Sequence, residues 1–378
     1  MPHMCIFLIF AVTCLAIPGD AVSYDQDGRI ELHIGGIFPM TASISGWAGA
    51  QACLPAALMA LDDINTRRDV IPGYKLVLHG HKNDSGCKPG LAARIMYELI
   101  YSEPKKLILL SGCSTETTIV GEAAQMWNLL VMGYGASSPA LSDKGRFPTL
   151  FRTHPSAIIH NPARLAMFEK YDWKRIGVIH SNDEVFSTTA DDLEEKLSQN
   201  GAILVARQNF GDPADAVSNL KRQDARIIVG MFYEPHARQV LCEVYKKEVY
   251  GPRYVWFLIG WYKDEWYLPQ PDESIECTAE QMKKAAQFHF TTEGLMRSND
   301  KLPGISNMVD MQQIARAQTQ IYVYVIAQTQ DTVDGQGCVL DAQYDSIDCD
   351  ESNDYEKAIS QFLSTENGPG DNRVAASG

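Results

Sequence analysis

Two clusters of small, hydroxyl-bearing residues stand out in the first half of the chain, because each follows a short apolar run. The run LILL at 107–110 leads into SGCST at 111–115, and the run LLVM at 129–132 leads shortly into GASS at 135–138. We predict both runs as strands. In an open parallel sheet, ligands bind just beyond the carboxyl ends of the strands, so these two clusters are the first candidates for a binding site.

Ser114 has the clearest chemistry of these hydroxyls, because apolar residues at helical spacing follow it over 115–127. A helix N-terminus offers free N–H groups, and with a serine hydroxyl it forms a site for a carboxylate. The simpler interpretations are that Ser114 or Thr115 is only an N-cap and that Ser137 lies only in a turn before Pro139. Either cluster alone favours the simpler interpretation, but two clusters at adjacent strand ends favour a binding site.

Four further side chains are predicted at strand ends or in the loops beyond them: Trp47, His154, Tyr233 and Trp261. Taken singly, an aromatic residue after a strand usually belongs to the core, and His154 could simply cap a hinge before Pro155. Taken with the serines, these side chains gather aromatic and hydrogen-bonding groups around one predicted cleft. Such a site suits a small zwitterion.

Motifs typical of enzymes are missing from the sequence. It contains no HExxH and no GxSxG, and GWAG at 46–49 lacks the glycine spacing of a dinucleotide-binding loop. His79 and His81 share one face of a predicted strand, but without a third ligand a solvated strand edge is a better interpretation than a metal site. We therefore predict no catalysis, no metal and no cofactor.

Composition and charge narrow the class of function. The chain has 378 residues, enough for about two domains, and it is 45% hydrophobic. Its net charge of −14 argues against nucleic acid or an anionic membrane as a partner.

Residues 1–23 are predicted to be a signal peptide, since their apolar run at 5–18 is too short to span a bilayer. No later stretch reaches about 18 consecutive apolar residues. An exported chain can form disulfides, and seven of the nine cysteines follow the signal. An odd number leaves one thiol over, and Cys53, in an apolar helical pattern, is the candidate for a buried thiol outside any disulfide. Asn83 begins the sequence Asn-Asp-Ser and is the candidate glycosylation site.

Strand and helix patterns alternate along the chain and do so twice, which predicts parallel sheets with helices on both faces. The predicted fold class is α/β, with two doubly wound lobes and a cleft between them. We place lobe 1 at 24–155 and lobe 2 at 156–308, and we predict one well-signalled helix of lobe 2 over 187–200. Residues 309–378 are predicted to be a divergent, partly disordered tail with a lone strand-like or short helical run at 321–327.

Six longer stretches are specific enough to indicate a family. They are GWAGAQAC at 46–53, SGCSTETT at 111–118, ASSPALS at 136–142, RFPTLFRTHPSA at 146–157, NLKRQDARIIVGMFYE at 219–234 and YVWFLIGWY at 254–262. With them the chain resembles, over about residues 30–308, the extracellular agonist-binding domain of GABA type B receptors, which are family C G-protein-coupled receptors. The resemblance implies a two-lobed, periplasmic-binding-protein-like (type 1) fold, in agreement with the alternating pattern.

The resemblance also implies roles for single residues. Ser114 and Ser137 would hold the ligand carboxylate, and His154 would face the ammonium end. Trp47 and Trp261 would sandwich the aliphatic part of the ligand, while Tyr233 would contribute from lobe 2 when the cleft closes.

The implied setting is extracellular, at the plasma membrane in a full-length receptor. The disulfides implied by the resemblance are Cys87–Cys113 and Cys242–Cys277. The implied partners are GABA or a similar zwitterion and, in the full-length form, a second receptor subunit in a heterodimer.

The chain departs from the family after Met308. The family continues with a segment whose acidic residue pairs with the ligand ammonium, and neither that segment nor a membrane domain is recognisable here. We therefore expect a truncated, alternatively spliced or mis-joined product that binds GABA weakly or not at all.

Three alternatives remain at this point: a secreted, non-signalling amino-acid-binding or decoy protein, an enzyme of doubly wound fold, and a non-binding dimerisation partner. The missing nucleophile–base sets argue against the enzyme. The retained set of Trp47, Ser114, Ser137 and His154 argues against the non-binding partner.

Overall fold

The computed structural model describes residues 23–41, 50–262 and 265–294, together with the backbones of three strands at 321–325, 338–341 and 346–348. These residues form two β-sheets with helices between successive parallel strands. The predicted α/β fold is thus confirmed. None of the helices in these ranges is long and apolar enough to cross a membrane.

The first sheet has five parallel strands in the order β2-β1-β3-β4-β5. Side chains such as Leu109, Val131 and Leu150 are fully buried in it, as expected for parallel strands covered by helices. The strands are β1 (Ile30–Ile37), β2 (Tyr74–His79), β3 (Ile108–Ser111), β4 (Leu130–Gly133) and β5 (Leu150–Arg152). The helices are α1 (Ala50–Thr66), α2 (Pro89–Tyr101) and α3 (Ser114–Ala124), the last continued by a 3-10 turn at Gln125–Trp127.

The second sheet has eight strands in the order β13-β12-β11-β10-β9-β8-β6-β7, parallel from β6 to β10 and antiparallel beyond. The strands are β6 (Arg175–His180), β7 (Ile203–Asn209), β8 (Ile227–Met231), β9 (Val255–Ile259), β10 (Phe290–Gly294), β11 (Ile321–Val325), β12 (Cys338–Asp341) and β13 (Ser346–Asp348). The helices are α4 (His160–Lys170), α5 (Glu184–Gln199), α6 (Pro213–Arg222), α7 (Glu234–Lys246) and α8 (Ala279–Ala286).

Both sheets are wound in the same way. The order β7-β6-β8-β9-β10 in the second sheet repeats the order β2-β1-β3-β4-β5 of the first. In each sheet the chain first adds a strand on one side of its first strand and then adds the later strands on the other side. The winding therefore reverses between the first and third strands, β1 and β3 or β6 and β8, and a crevice opens there at the carboxyl ends. The strand ends of the first sheet are level, because Ser111 pairs with Ile37 on one side and Gly133 on the other.

The structure corrects several predicted elements. Helix α5 begins at Glu184 rather than at residue 187, because the buried Val185 and Phe186 belong to its apolar face and the hydroxyls after them are not its cap. Strands β5 and β10 and helix α8 are too short to show a clear period, and the sequence did not predict them. The run at 321–327 is not lone, since β11 pairs antiparallel with β10. The predicted signal peptide, apart from its last residue, lies outside the described residues, as does most of the predicted tail.

Two disulfides, the pairs implied by the resemblance, tie helices to loops. Cys87–Cys113 joins the turn after β2 to the start of α3, with Cα atoms 5.5 Å apart, and Cys242–Cys277 joins α7 to the segment before α8, with Cα atoms 5.6 Å apart. Cys53 lies outside both disulfides and is half-buried, not buried as predicted. Burial, together with the nearby Glu116, raises the pKa of the Cys53 thiol to about 11.

Candidate functional site

Ser114 is the first residue of α3, and its hydroxyl joins the ends of two strands. Its Oγ accepts hydrogen bonds from the backbone N–H of Ser137 at 3.0 Å and of Ser138 at 3.1 Å. The N-cap of α3 is Cys113, so the interpretation of Ser114 as only an N-cap is wrong. A hydroxyl that accepts two bonds still has its proton to donate, and the Ser114 O–H is therefore available to an acceptor on a ligand.

The loop after β4 is held from several sides. The carbonyl of Ser137 accepts the N–H of Ala157, on the chain that leads to α4, at 2.8 Å. Arg152 donates to the carbonyl of Ser138 at 2.8 Å. The buried Oγ of Ser138 has no hydrogen-bond partner within the part of the chain that the structure describes. The loop therefore has a fixed backbone and at least one hydroxyl that the described residues leave without a hydrogen bond.

Glu116 fixes the turn that leads from β3 into α3. Its Oε1 accepts the backbone N–H groups of Gly112 and Cys113, both at 3.0 Å, as one half of a capping box. The side chain is fully buried, and its Oε2 has no partner among the described residues. Burial raises the pKa of the Glu116 carboxyl, because a buried site disfavours the charged form. The sequence analysis missed Glu116, although a glutamate three residues after a cap is a capping-box signal.

His154 follows β5 and is half-buried. Its Nδ1 lies 2.9 Å from the carbonyl oxygen of Pro155, a contact that places the proton of the neutral ring on Nδ1. Burial, reinforced by the positive charge of Arg152 and opposed by the bond to Pro155, lowers the pKa of His154. The ring is therefore neutral near pH 7, and its Nε2 is an acceptor suited to an ammonium donor.

Tyr233 and Trp261 lie at the carboxyl ends of strands in the second sheet. Tyr233 is the N-cap residue of α7, directly after β8, and its ring packs edge-on against Phe186 with centroids 4.8 Å apart. Trp261 follows β9 and packs edge-on against His160, with centroids 6.1 Å apart. The buried indole N–H of Trp261 has no partner among the described residues. Such groups are uncommon in proteins, and this one is a donor available to a ligand.

The N-terminus of α5 contacts the first sheet. Glu184 pairs with Arg146 at 3.1 Å and accepts from the hydroxyl of Thr118 at 3.4 Å. Arg146 also pairs with Glu122 of α3 at 3.0 Å. Since Thr118 lies one helical turn after Ser114, the start of α5 faces the start of α3. The carboxyl ends of the two sheets therefore face each other.

The remaining candidates are placed as follows. Trp47 lies outside the described residues. Asn83 lies in the turn after β2, where its amide donates to the exposed Glu98 at 3.3 Å. His79 does not pair with His81, because its Nε2 lies 3.0 Å from Nδ1 of His33 on β1.

One group of potential metal ligands occurs in the described ranges: Cys87, Cys113 and Glu116. Both of its sulfurs are bonded to each other in a disulfide, so they are not thiolate ligands. Metal ligation by cysteine requires the thiolate.

Comparisons with known proteins agree with this architecture. Residues 52–357 match the family described as the receptor family ligand binding region. The chain is 56% identical over 284 residues to gamma-aminobutyric acid type B receptor subunit 1 of Caenorhabditis elegans, a match that covers 75% of this chain and 31% of that protein. It is 54% identical over 285 residues to the Mus musculus subunit 1, covering 75% of this chain and 29% of that protein. Against the Homo sapiens subunit 2 the identity is 30% over 281 residues, covering 73% of this chain and 30% of that protein.

The chain thus spans less than a third of the length of these curated relatives. The family match extends to residue 357, past Met308, where the sequence predicted the resemblance to end. The family is a ligand-binding region of receptors and not a family of enzymes. The chain belongs to this family of receptor ligand-binding regions, and within the family it is similar to gamma-aminobutyric acid type B receptor subunit 1.

Proposed function

We propose that this chain is the extracellular ligand-binding part of a G-protein-coupled GABA receptor, and that it binds GABA or a similar small zwitterion between its two lobes. The observation that carries the proposal is the Ser114 hydroxyl, which accepts two backbone N–H groups and keeps its own proton for a ligand. The similarity to subunit 1 proteins supports the choice of ligand.

The ligand carboxylate binds at the start of α3. The Ser114 O–H donates to one carboxylate oxygen, and the hydroxyl of Ser137 on the neighbouring strand end donates to the other. The N-terminus of α3, a helix of 11 residues, adds the favourable end of its dipole. Hydrogen bonds to a charged acceptor of this kind contribute roughly 1.5–3 kcal/mol each.

The rest of the ligand lies between the strand ends of the two sheets. The neutral His154 accepts a hydrogen bond from the ammonium group through Nε2. The rings of Trp261 and Tyr233 cover the aliphatic carbons from the second sheet, and Trp47 covers them from the first. Burial, together with the charge of Asp183, raises the pKa of the Tyr233 hydroxyl, so Tyr233 acts as a neutral donor.

Calorimetric titration of the purified, secreted chain with GABA tests this proposal. Ser114→Ala should weaken GABA and butyrate alike, by roughly ten- to a hundredfold, because both ligands carry the carboxylate that loses its donor. Ser218→Ala is the matched control, since Ser218 is exposed on α6 and its hydroxyl bonds only within that helix. Because the sequence departs from the family after Met308, we expect this binding to be weak, and the titration therefore extends to millimolar GABA; a wild-type chain that shows no saturable binding there would overturn the proposal.

We further propose an extracellular location and a heterodimer with a second, subunit 2-like chain. The two disulfides and the sequon at Asn83 suit an oxidising compartment. Tyr97, Tyr101 and Trp127 contact one another by their rings, yet they are 44%, 73% and 40% exposed. An exposed aromatic patch of this kind is typical of a protein interface. Tyr101→Ser should therefore abolish co-elution with the partner ectodomain without changing the melting temperature; unchanged co-elution would refute this surface.

A further inference from the structure

Five basic side chains share the edge of the second sheet that lies away from the candidate site. We propose that they form a basic surface that binds a sulfated polysaccharide. The basic surface consists of Lys221, Arg222, Lys247, Arg175 and Arg253. It is separate from the proposed GABA site and rests on the proposed function only for the extracellular location, where sulfated polysaccharides occur.

The basic surface is built from the ends of helices and the starts of strands. Lys221 and Arg222 are the last two residues of α6, and Lys247 directly follows α7. Arg175 is the first residue of β6, and Arg253 lies two residues before β9. In a β-α-β unit the helix runs back antiparallel to the strands, so helices end and strands begin at the same edge of the sheet. The basic surface therefore lies opposite the carboxyl ends of the strands, where the candidate site is.

Contacts along this edge hold the cations in one continuous surface. The ammonium group of Lys221 donates to the backbone carbonyl of Lys247 at 2.5 Å, which joins the ends of α6 and α7. Arg175 donates to the backbone carbonyl of Gln223, next to Arg222, at 3.4 Å. Between the two helix ends lies an open groove of about 350 Å³, lined by Ser218, Lys221, Arg222 and Lys247. Because the groove is open at the surface, a linear chain can run through it, and its three cations and one hydroxyl are complementary to an anion.

Most of these positive charges are not neutralised by acidic neighbours. Lys247 pairs with Glu243 at 3.4 Å, but no carboxylate oxygen of the described residues lies within 4.0 Å of a cationic nitrogen of the other four side chains. The nearby Asp224 pairs instead with Arg226 at 2.8 Å. The whole chain carries a net charge of −14. Four cations without an anionic partner on one surface of such a chain indicate that the partner comes from outside it.

The helix dipole accounts for only part of this arrangement. Cations in the last turn of a helix are favourable, which explains Lys221 and Arg222 in α6 and Lys247 after α7. It does not explain Arg175 and Arg253, because strands have only a small net dipole. A linear polyanion, by contrast, contacts several cations at once through its repeated charges, and the basic surface offers it cations from both helices and strands.

The chemistry of the cations and the proposed location favour sulfate groups. Arginine binds oxyanions through parallel N–H donors, and lysine binds them as a point charge. Sulfate groups keep their charge at every physiological pH, and the polysaccharides that carry them are linear and extracellular. An anionic membrane is a less suitable partner, because a flat surface would also meet the acidic remainder of this chain.

The test is calorimetric titration of the purified chain, without GABA, with a heparin octasaccharide at salt concentrations from about 0.05 to 0.3 M. The triple variant Lys221→Gln, Arg222→Gln, Lys247→Gln should bind the octasaccharide at least about tenfold more weakly than the wild type does. The slope of log affinity against log salt concentration should fall by about two, because three cations no longer displace counterions. Arg253→Gln, a single change at an exposed position, should also weaken binding, by about fivefold.

The matched control removes three exposed cations from the lobe of the first sheet: Arg68→Gln, Lys82→Gln and Arg94→Gln. It changes the net charge by the same amount and should leave the affinity unchanged. Ser114→Ala should also leave it unchanged, since the cleft is at the opposite edge of the strands. Melting temperatures of all the variants establish that they are folded.

Several outcomes would overturn the assignment. A wild-type chain that does not bind the octasaccharide at the lowest salt concentration has no such site, and equal weakening in the control triple variant would mean that net charge alone attracts the polyanion. Equally tight binding of a hyaluronan octasaccharide, which carries carboxylates but no sulfates, would show that sulfate is not recognised. Equally tight binding to phosphatidylserine vesicles would make an anionic membrane the partner. Because the octasaccharide is titrated without GABA, a failure of GABA binding would overturn the proposed function and leave the basic surface standing.

Discussion

Glu116 offers a sharp test of what holds the turn between β3 and α3, which positions Ser114. Its Oε1 accepts two buried backbone N–H groups in the turn before Ser114, while its Oε2 is buried without a partner among the described residues. Glu116→Gln keeps an oxygen acceptor for both N–H groups and removes the possibility of a charge. Glu116→Leu removes the acceptor and leaves both groups unpaired.

The magnitude follows from the two lost bonds. A buried N–H without an acceptor costs about 1–3 kcal/mol, so Glu116→Leu should lower the free energy of unfolding by about 2 kcal/mol or more. That corresponds to a fall of about 4–8 °C in melting temperature for a domain of 150–250 residues. Glu116→Gln should cost much less at acidic pH, because the shape and the acceptor are retained.

The pH dependence of the stability distinguishes the effect of the Glu116 charge from the effect of its hydrogen bonds. Burial raises the pKa of the Glu116 carboxyl in the folded chain; the charge of Asp84 adds to this effect, and the hydrogen bonds from the N–H groups of Cys113 and Gly112 oppose it. When a group has a higher pKa in the folded chain than in the unfolded chain, it contributes stability that is fully present below its pKa in the unfolded chain, about 4.3 for Glu. That stability is lost as the pH rises through the pKa in the folded chain. The wild-type chain should therefore lose stability above about pH 4.3 through this residue, and Glu116→Gln should not.

Thermal unfolding at intervals from pH 5 to pH 8 checks this. The melting temperature of Glu116→Gln minus that of the wild type should increase with pH. The control Glu195→Gln, at an exposed position of α5, should give a difference that does not change with pH. A constant or falling difference for Glu116→Gln would show that the buried carboxyl is ionised in the folded chain and that the reasoning is wrong.

Three further outcomes are expected from other contacts. Glu184→Gln should weaken GABA by no more than about fivefold, because an exposed ion pair contributes about 0–1 kcal/mol; a larger effect in calorimetry would mean that Glu184 touches the ligand. Arg238→Ala should lower the free energy of unfolding by about 3–5 kcal/mol, since it removes the buried guanidinium that pairs with the buried Glu234 and, through two hydrogen bonds, with the partly buried Glu273; denaturant titration measures this, and a loss below about 1 kcal/mol would contradict it. Replacing Cys242 and Cys277 by serine together should cost about 2–5 kcal/mol, and an unchanged denaturation midpoint would show that the disulfide does not constrain the unfolded chain.

The elements that the sequence predicted well are those with complete local signals. The sequence predicts a helix over 89–101, from Pro89 at its start and apolar residues at helical spacing after it, and α2 has these bounds. The sequence also predicts a strand over 175–180, an apolar run between Arg175 and His180, and β6 has these bounds. Ser114 was found because it lies at a strand end and before a helix, both of which are local properties.

The parts that escaped prediction depend on contacts between distant segments. Nothing in the sequence around Asp183 separates a capping aspartate from a non-capping one, and Asp212 looks the same in sequence yet caps its helix. The hydroxyl residues at 187–189 resembled helix caps in sequence. In the structure their hydroxyls donate to backbone carbonyls of the preceding helical turn, a role that the sequence does not show. The burial of Glu116 likewise follows from packing beneath the first sheet and not from its own neighbours.

The contacts that join the two lobes contribute little energy of their own. The ion pair between Arg146 and Glu184, which joins the two lobes, is partly exposed, with side chains 37% and 41% accessible, so it contributes no more than about 1 kcal/mol. A zwitterion bound by Ser114 and Ser137 on one lobe and covered by Trp261 and Tyr233 on the other would make its contacts with the second lobe only when the lobes are together. Because a ligand shifts an equilibrium only by its difference in affinity for the two states, a ligand that contacts both lobes in this way would favour the form in which the lobes are together.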